Sequence, residues 1–132
     1  MNTNNKGILV IVSGFSGAGK GTLVHELMTR YQNEYALSIS ATTRAPRAGE
    51  QEGVHYFYKS RQEFEAMIAH GDFLEYAQYV NNYYGTPKQY VLDRISEGKN
   101  VLLEIEMQGA MQVKKNFPDT TLIFVSAPGA VE

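Results

Sequence analysis

Two hydrophobic patterns alternate along the 132 residues. Residues 8–12 form an unbroken apolar run, as expected of a strand covered on both faces. Residues 122–125 have the same character, as do 101–105 but for Glu104; they predict two further core strands, and a short strand is expected at 36–40. Elsewhere the period changes. Leu23, Leu27 and Tyr31 recur at helical spacing, with Val24 and Met28 beside them. Ser60 and Glu63 form a capping box for a helix that buries Phe64, Met67 and Ile68 and stops at Gly71. Thr86 before Pro87 has the form of an N-cap with proline at the first helical position, predicting a helix to about residue 97. Residues 109–117 predict another helix, while 56–58 and 73–80 are strand-like and 41–53 reads as a polar loop. Strands alternating with helices predict an α/β fold, a parallel sheet with helices on both faces.

Composition narrows the class. Apolar residues make up 43% of the chain and charged residues 20%, as in a soluble globular domain. The net charge of -2 argues against a general nucleic-acid binder. The absence of cysteine excludes disulfides and thiolate metal sites. The polar start does not resemble a signal peptide, and the run at 8–12 is too short to cross a bilayer. The expectation is a cytoplasmic protein with no membrane association.

The strongest motif lies between the first strand and the first helix. Gly14-Phe15-Ser16-Gly17-Ala18-Gly19-Lys20-Gly21-Thr22 has the spacing of a phosphate-binding loop. Glycines let successive N–H groups turn toward one phosphate, and the helix N-terminus adds a favourable dipole. The candidates for the ATP phosphates are Ser16, Gly17, Ala18, Gly19, Lys20, Gly21 and Thr22, with Lys20 as the point charge. The usual Ser or Thr after the lysine is here Gly21, and the hydroxyl comes one position later, so Thr22 is the candidate Mg²⁺ ligand.

Beyond the loop, Ser40-Ala41-Thr42-Thr43-Arg44-Ala45-Pro46-Arg47-Ala48-Gly49-Glu50 resembles the S-x-T-T-R-x-P-R-x-G-E signature of guanylate kinases. Gly53-Val54-His55-Tyr56-Phe57, Phe73-Leu74-Glu75, Asn82-Tyr83-Tyr84-Gly85-Thr86 and Leu103-Glu104-Ile105-Glu106-Met107-Gln108-Gly109 extend the resemblance over residues 8–127. The chemistry of these residues is coherent by itself. Arg44, Arg47, Tyr56 and Tyr84 can converge on one monophosphate, since guanidinium forks suit phosphate oxygens and phenols add donors without charge. Glu75 can accept from the N1–H and exocyclic amine of guanine but would oppose the N1 lone pair of adenine. Thr86 can donate to guanine O6. Glu104 and Glu106 alternate along the end of a core strand and are expected on one face.

The resemblance implies a P-loop NTPase fold whose core is residues 1–40 and 88–132, with 41–87 as an inserted GMP-binding subdomain. It places Ser40 at the base pocket, and Glu104 and Glu106 between two nucleotides. It implies transfer of the ATP γ-phosphoryl group to GMP or dGMP, with Mg²⁺ accompanying ATP and with Lys20, Arg44 and Arg47 as catalytic residues. Family members continue into an arginine-bearing lid and a further strand. The expectation is therefore a shortened kinase that binds GMP, turns over slowly, and associates with itself through the strand at 122–125. The rival readings are a guanylate-kinase-like binding module, disfavoured by the intact Gly19-Lys20, and a kinase of AMP, disfavoured by Glu75. His25, His55 and His70 have no partner pattern and are expected to be structural or superficial.

Overall fold

The structure, a computed structural model, describes residues 6–14 and 19–126. In chain order the elements are β1 (Leu9–Gly14), α1 (Lys20–Arg30), β2 (Tyr35–Leu37), β3 (Ala41–Thr42), β4 (Phe57–Tyr58) and α2 (Arg61–Ala69). There follow β5 (Phe73–Tyr79), β6 (Asn82–Pro87), α3 (Lys88–Ser96), β7 (Asn100–Glu104), α4 (Met107–Asn116) and β8 (Thr121–Val125). They form two compact units, one of Met1–Ser38 with Val91–Glu132 and one of Ile39–Tyr90.

The first unit is a parallel sheet in the order β2-β7-β1-β8. Its apolar runs explain the arrangement. A strand flanked on both sides within a two-layered cover must be apolar at every position, and β1 is buried from Leu9 to Ser13. Its even positions, Val10 and Val12, join Leu102 and Val24 in one cluster, against which Leu23, Leu27 and Met28 of α1 pack. Its odd position Ile11 pairs with Leu103 of β7 on the other face. Helix α4 packs against β1 and buries Ala110 and Val113 completely. The predicted parallel sheet with flanking helices is thus present. Among the described residues β2 and β8 are its edges.

The second unit is a mixed sheet in the order β4-β3-β6-β5. Strands β5 and β6 form an antiparallel hairpin that turns at Val80 and Asn81, with Val80 at φ 59°. Helix α2 carries the expected capping box: the Glu63 N–H donates to Ser60 Oγ at 3.0 Å and the Ser60 N–H to Glu63 Oε1 at 2.8 Å. The helix ends with the Gly71 N–H donating to Ile68 and the Asp72 N–H to Met67, which satisfies two terminal carbonyls. Of its apolar residues Phe64 is fully buried, whereas Met67 and Ile68 are only half-buried. Phe64 stacks on Phe73 at 4.4 Å and on Tyr83 at 4.9 Å between ring centroids.

The strand expected at 36–40 is β2, Tyr35–Leu37, and the structure departs from the sequence expectations in three further places. Thr86 and Pro87 end strand β6, and α3 begins only at Lys88. Cross-strand pairing of Thr86 with Glu75 prevails over the local capping preference. Ala41 and Thr42, within the expected loop, are a fully buried strand, because they pair with both β4 and β6. Glu106 does not share a strand face with Glu104: β7 ends at Glu104, and Glu106 is the N-cap residue of α4.

Candidate functional site

In the first unit the described part of the phosphate loop consists of its two flanks. Gly14 closes β1 at φ 150°, and a Cβ there would stand 2.1 Å from the Val125 carbonyl oxygen. Gly19 is the N-cap of α1 with φ 101°, a left-handed conformation that favours glycine. Lys20 opens α1 and is half-buried, and Gly21 and Thr22 follow on an exposed first turn. Phe15, Ser16, Gly17 and Ala18 lie outside the described residues. Ser13, just before the loop, is fully buried, and its Oγ has no hydrogen-bond partner among the described residues. Nothing in the local sequence pattern marks Ser13. Glu104 and Glu106 are both exposed at the carboxyl end of β7 and the start of α4.

The second unit holds a denser arrangement. Strand β6 sets Tyr84 opposite Thr42, and two residues after Thr42 the chain reaches Arg44. The Arg44 N–H donates to Thr42 Oγ1 at 3.2 Å, while the Thr42 hydroxyl donates to the Tyr83 carbonyl at 2.8 Å. The Arg44 guanidinium donates from both terminal nitrogens to Glu50, at 3.0 and 3.1 Å. It lies over the Tyr56 ring at 5.1 Å, and the rings of Tyr56 and Tyr84 meet edge-on at 6.2 Å. The side chains of Arg44 and Glu50 are 12% and 20% exposed, so this pair is not one of the loosely solvated surface bridges that contribute little.

Glu50 gathers more than Arg44. It accepts from the Arg47 N–H at 2.8 Å and from the Tyr58 phenol at 2.8 Å. The hydrogen bond from Arg44, followed by those from Arg47 and Tyr58, holds its carboxyl down at about 2. In return Glu50 strengthens the hold of Arg44 on its proton, and Tyr56 and Tyr84 act in the same direction. Burial first, then Glu50, raises the Tyr58 phenol. The Arg47 side chain is exposed. Arg44, Tyr56 and Tyr84 therefore lie together. Glu50 and Tyr58 were assigned no role from sequence, although Glu50 closes the quoted signature.

The third feature is a half-buried carboxyl on the sheet of the same unit. A register shift between Phe73 and Glu75 lets Glu75 face Thr86 across the hairpin. Such bulges re-aim a side chain. The Thr86 hydroxyl donates to Glu75 Oε2 at 2.6 Å. Thr86 is fully buried and Glu75 half-buried, and burial pushes the Glu75 carboxyl above its ordinary value against the opposing effect of the Thr86 donors. Gly85 precedes Thr86 where a Cβ would meet Phe73 at 2.9 Å and Tyr76 at 3.0 Å. Ser40 is half-buried, and its carbonyl accepts from the Phe57 N–H at 2.8 Å. A half-buried acid beside a hydroxyl, in the unit that also holds a fixed arginine and two phenols, can take a ligand with paired N–H donors and an anionic end.

The guanylate kinase family model matches residues 6–132. The chain belongs to the guanylate kinase family. Guanylate kinase of Enterococcus faecalis is 51% identical over 129 residues, which cover 98% of this chain and 63% of that protein. Guanylate kinase of Halalkalibacterium halodurans is 51% identical over 127 residues, covering 96% and 62%. The crystal structure of guanylate kinase from Anaplasma phagocytophilum superposes with a TM-score of 0.71 at 30% identity, covering 92% of this chain and 60% of that one. The chain thus spans about three fifths of the length of the guanylate kinases it matches. Among the described residues no helix is long and apolar enough to cross a membrane.

Proposed function

We propose that the chain binds GMP or dGMP and ATP, as the nucleotide-binding part of a kinase that transfers the ATP γ-phosphoryl group to the monophosphate. The observation that carries the reading is the presence, within one compact unit, of a fixed Arg44 over Tyr56 and of a desolvated Glu75 that already holds one donor. In this reading the GMP phosphate takes Arg44, Arg47, Tyr56 and Tyr84, and guanine gives its N1–H and amine protons to Glu75, with Ser40 beside the base. Thr86 has a single hydroxyl proton, which it gives to Glu75. Once guanine supplies Glu75 with two donors, that proton is free to turn to O6. The exchange keeps every buried group paired. Adenine, with a lone pair at N1, would leave Glu75 facing an acceptor, at a cost of about 1–3 kcal/mol.

On the ATP side the loop N–H groups with Lys20 would hold the triphosphate. Mg²⁺ would enter with ATP. Magnesium takes most of its ligands from phosphates and water, so one exposed hydroxyl on the first turn of α1, that of Thr22, fits it, with Glu104 and Glu106 toward its water shell. When bound it supplies charge neutralisation at the phosphate oxygens. Lys20 would supply positive charge to the donor phosphates, and Arg44 and Arg47 to the acceptor phosphate. Phosphoryl transfer asks mainly for such alignment and electrostatic support.

Calorimetric titration with GMP, AMP and ATP tests the reading. GMP and ATP should bind, AMP should bind about five- to a hundredfold more weakly than GMP, and Glu75→Gln should abolish the difference between the two monophosphates. Equal affinity for GMP and AMP in the unaltered chain would overturn it.

A further inference from the structure

Glu50 is the most heavily engaged acid of the second unit. Its carboxylate takes two donors from Arg44, the N–H of Arg47 and the phenol of Tyr58, and so joins three separate points of the chain. Arg44 is meanwhile held at its base, where its N–H donates to Thr42 Oγ1. The side chain is thus tied at both ends, with the Tyr56 ring against its guanidinium. An arginine so fixed has already lost the rotamer freedom that a phosphate would otherwise have to remove on binding.

We propose that Glu50 is a positioning residue that holds Arg44 in phosphate-binding geometry. The inference rests on the reading that Arg44 meets the GMP phosphate. The competing role for the same contacts is a latch, in which the carboxylate sits where the phosphate must go and has to be expelled. The two roles differ in sign. Expelling Glu50 would strand the Tyr58 phenol and the Arg47 N–H together, which weighs against the latch. A support makes Arg44 a better ligand, so its removal weakens phosphate binding, whereas removal of a latch strengthens it.

Glu50→Gln separates the two. The amide oxygen can still accept from Arg47 and Tyr58, but the amide nitrogen confronts an Arg44 donor and the charge is gone. GMP and guanosine are titrated into the unaltered chain, Glu50→Gln and Tyr58→Phe. The support role predicts that GMP affinity falls roughly tenfold or more in Glu50→Gln, on the scale of a charge-assisted hydrogen bond, and by less in Tyr58→Phe. Guanosine affinity, which reports the Glu75–Thr86 side alone, should not move in either. An unchanged or tighter GMP affinity overturns the proposal, as does an equal loss for guanosine, which would mark a general structural role. If Glu50→Gln fails to fold, Tyr58→Phe decides on the same criteria. Failure of the unaltered chain to bind GMP sinks the proposed function and this inference together; normal GMP binding with an indifferent Glu50→Gln sinks the inference alone.

Discussion

In the unit built on β1 the candidate phosphate ligands are backbone groups and one lysine, set by glycines at Gly14 and Gly19 and by the start of α1. In the unit of residues 39–90 the candidate ligands are side chains, several of them held by other side chains: Arg44 by Glu50, Glu50 by Tyr58, Glu75 by Thr86. The contrast follows from what each unit is proposed to recognise. A triphosphate tail presents many equivalent oxygens, and a run of N–H groups suits it whatever the flanking side chains. A nucleoside monophosphate must be told apart by its base edge, and only side chains of defined charge and polarity do that. Recognition by backbone tolerates substitution except at glycines. Recognition by a side-chain network is exposed at every member.

The largest expected effect tests whether the second unit stands on its own core. Phe64 is fully buried and stacks on both Phe73 and Tyr83, which frame the hairpin carrying Glu75 and Tyr84. Phe64→Ala should cost about 3–5 kcal/mol, as for other buried aromatic truncations. Hydrogen exchange should show the loss in β5 and β6 amides while β1 amides keep their protection. Equal deprotection of β1 would mean that the two units unfold as one, and the contrast would then concern recognition only.

A smaller effect follows from two acids of opposite behaviour in that same unit. Glu50 sits at about 2, below the ordinary 4.5. Its contribution to stability is complete above about 4.5 and is lost as pH falls toward 2. Glu75 is raised by burial. In the folded chain it therefore holds its proton at pH values where the unfolded chain has released it, and stability declines as pH rises from 4.5 through its raised value. Glu75→Gln should remove that decline, so that its melting temperature relative to the unaltered chain increases between pH 4 and 7. A constant difference across that range would show that Glu75 ionises without penalty, and the desolvated base pocket would lose its support.

Legibility in the sequence divided along the same line. Strands β1, β7 and β8 and helix α1 follow from apolar runs and helical spacing, because burial on two faces leaves a continuous record. The capping box of α2 was equally plain, since its partners are three residues apart. The second sheet was not. Ala41–Thr42 is two residues long and owes its strand character to pairing with β4 and with β6, more than forty positions away. Thr86 was read as a helix cap because its partner Glu75 lies eleven residues back across a hairpin. Glu106 was placed on a strand face by alternation, which holds only while the strand lasts, and β7 ends at Glu104. For the proposed monophosphate site, the residues follow from family resemblance together with the chemistry of phosphate and guanine, while the role proposed for Glu50 emerges only from contacts that sequence spacing does not reveal.

The smallest predicted effect lies in the first unit and sharpens the claim that recognition there is backbone work. Ser13, one residue before the phosphate loop begins, is completely buried, and its Oγ has no hydrogen-bond partner among the described residues. An unsatisfied buried hydroxyl costs about 1–3 kcal/mol, and Ser13→Ala removes it together with one small atom's packing. The two terms oppose each other, so the nucleotide-free protein should be unchanged or more stable by up to about 1 kcal/mol. If only backbone and Lys20 hold the triphosphate, ATP affinity should be untouched as well. A Ser13→Ala chain of normal stability that binds ATP several-fold more weakly would mean that the hydroxyl finds its partner in the nucleotide or its water. The first unit would then share the side-chain dependence of the second.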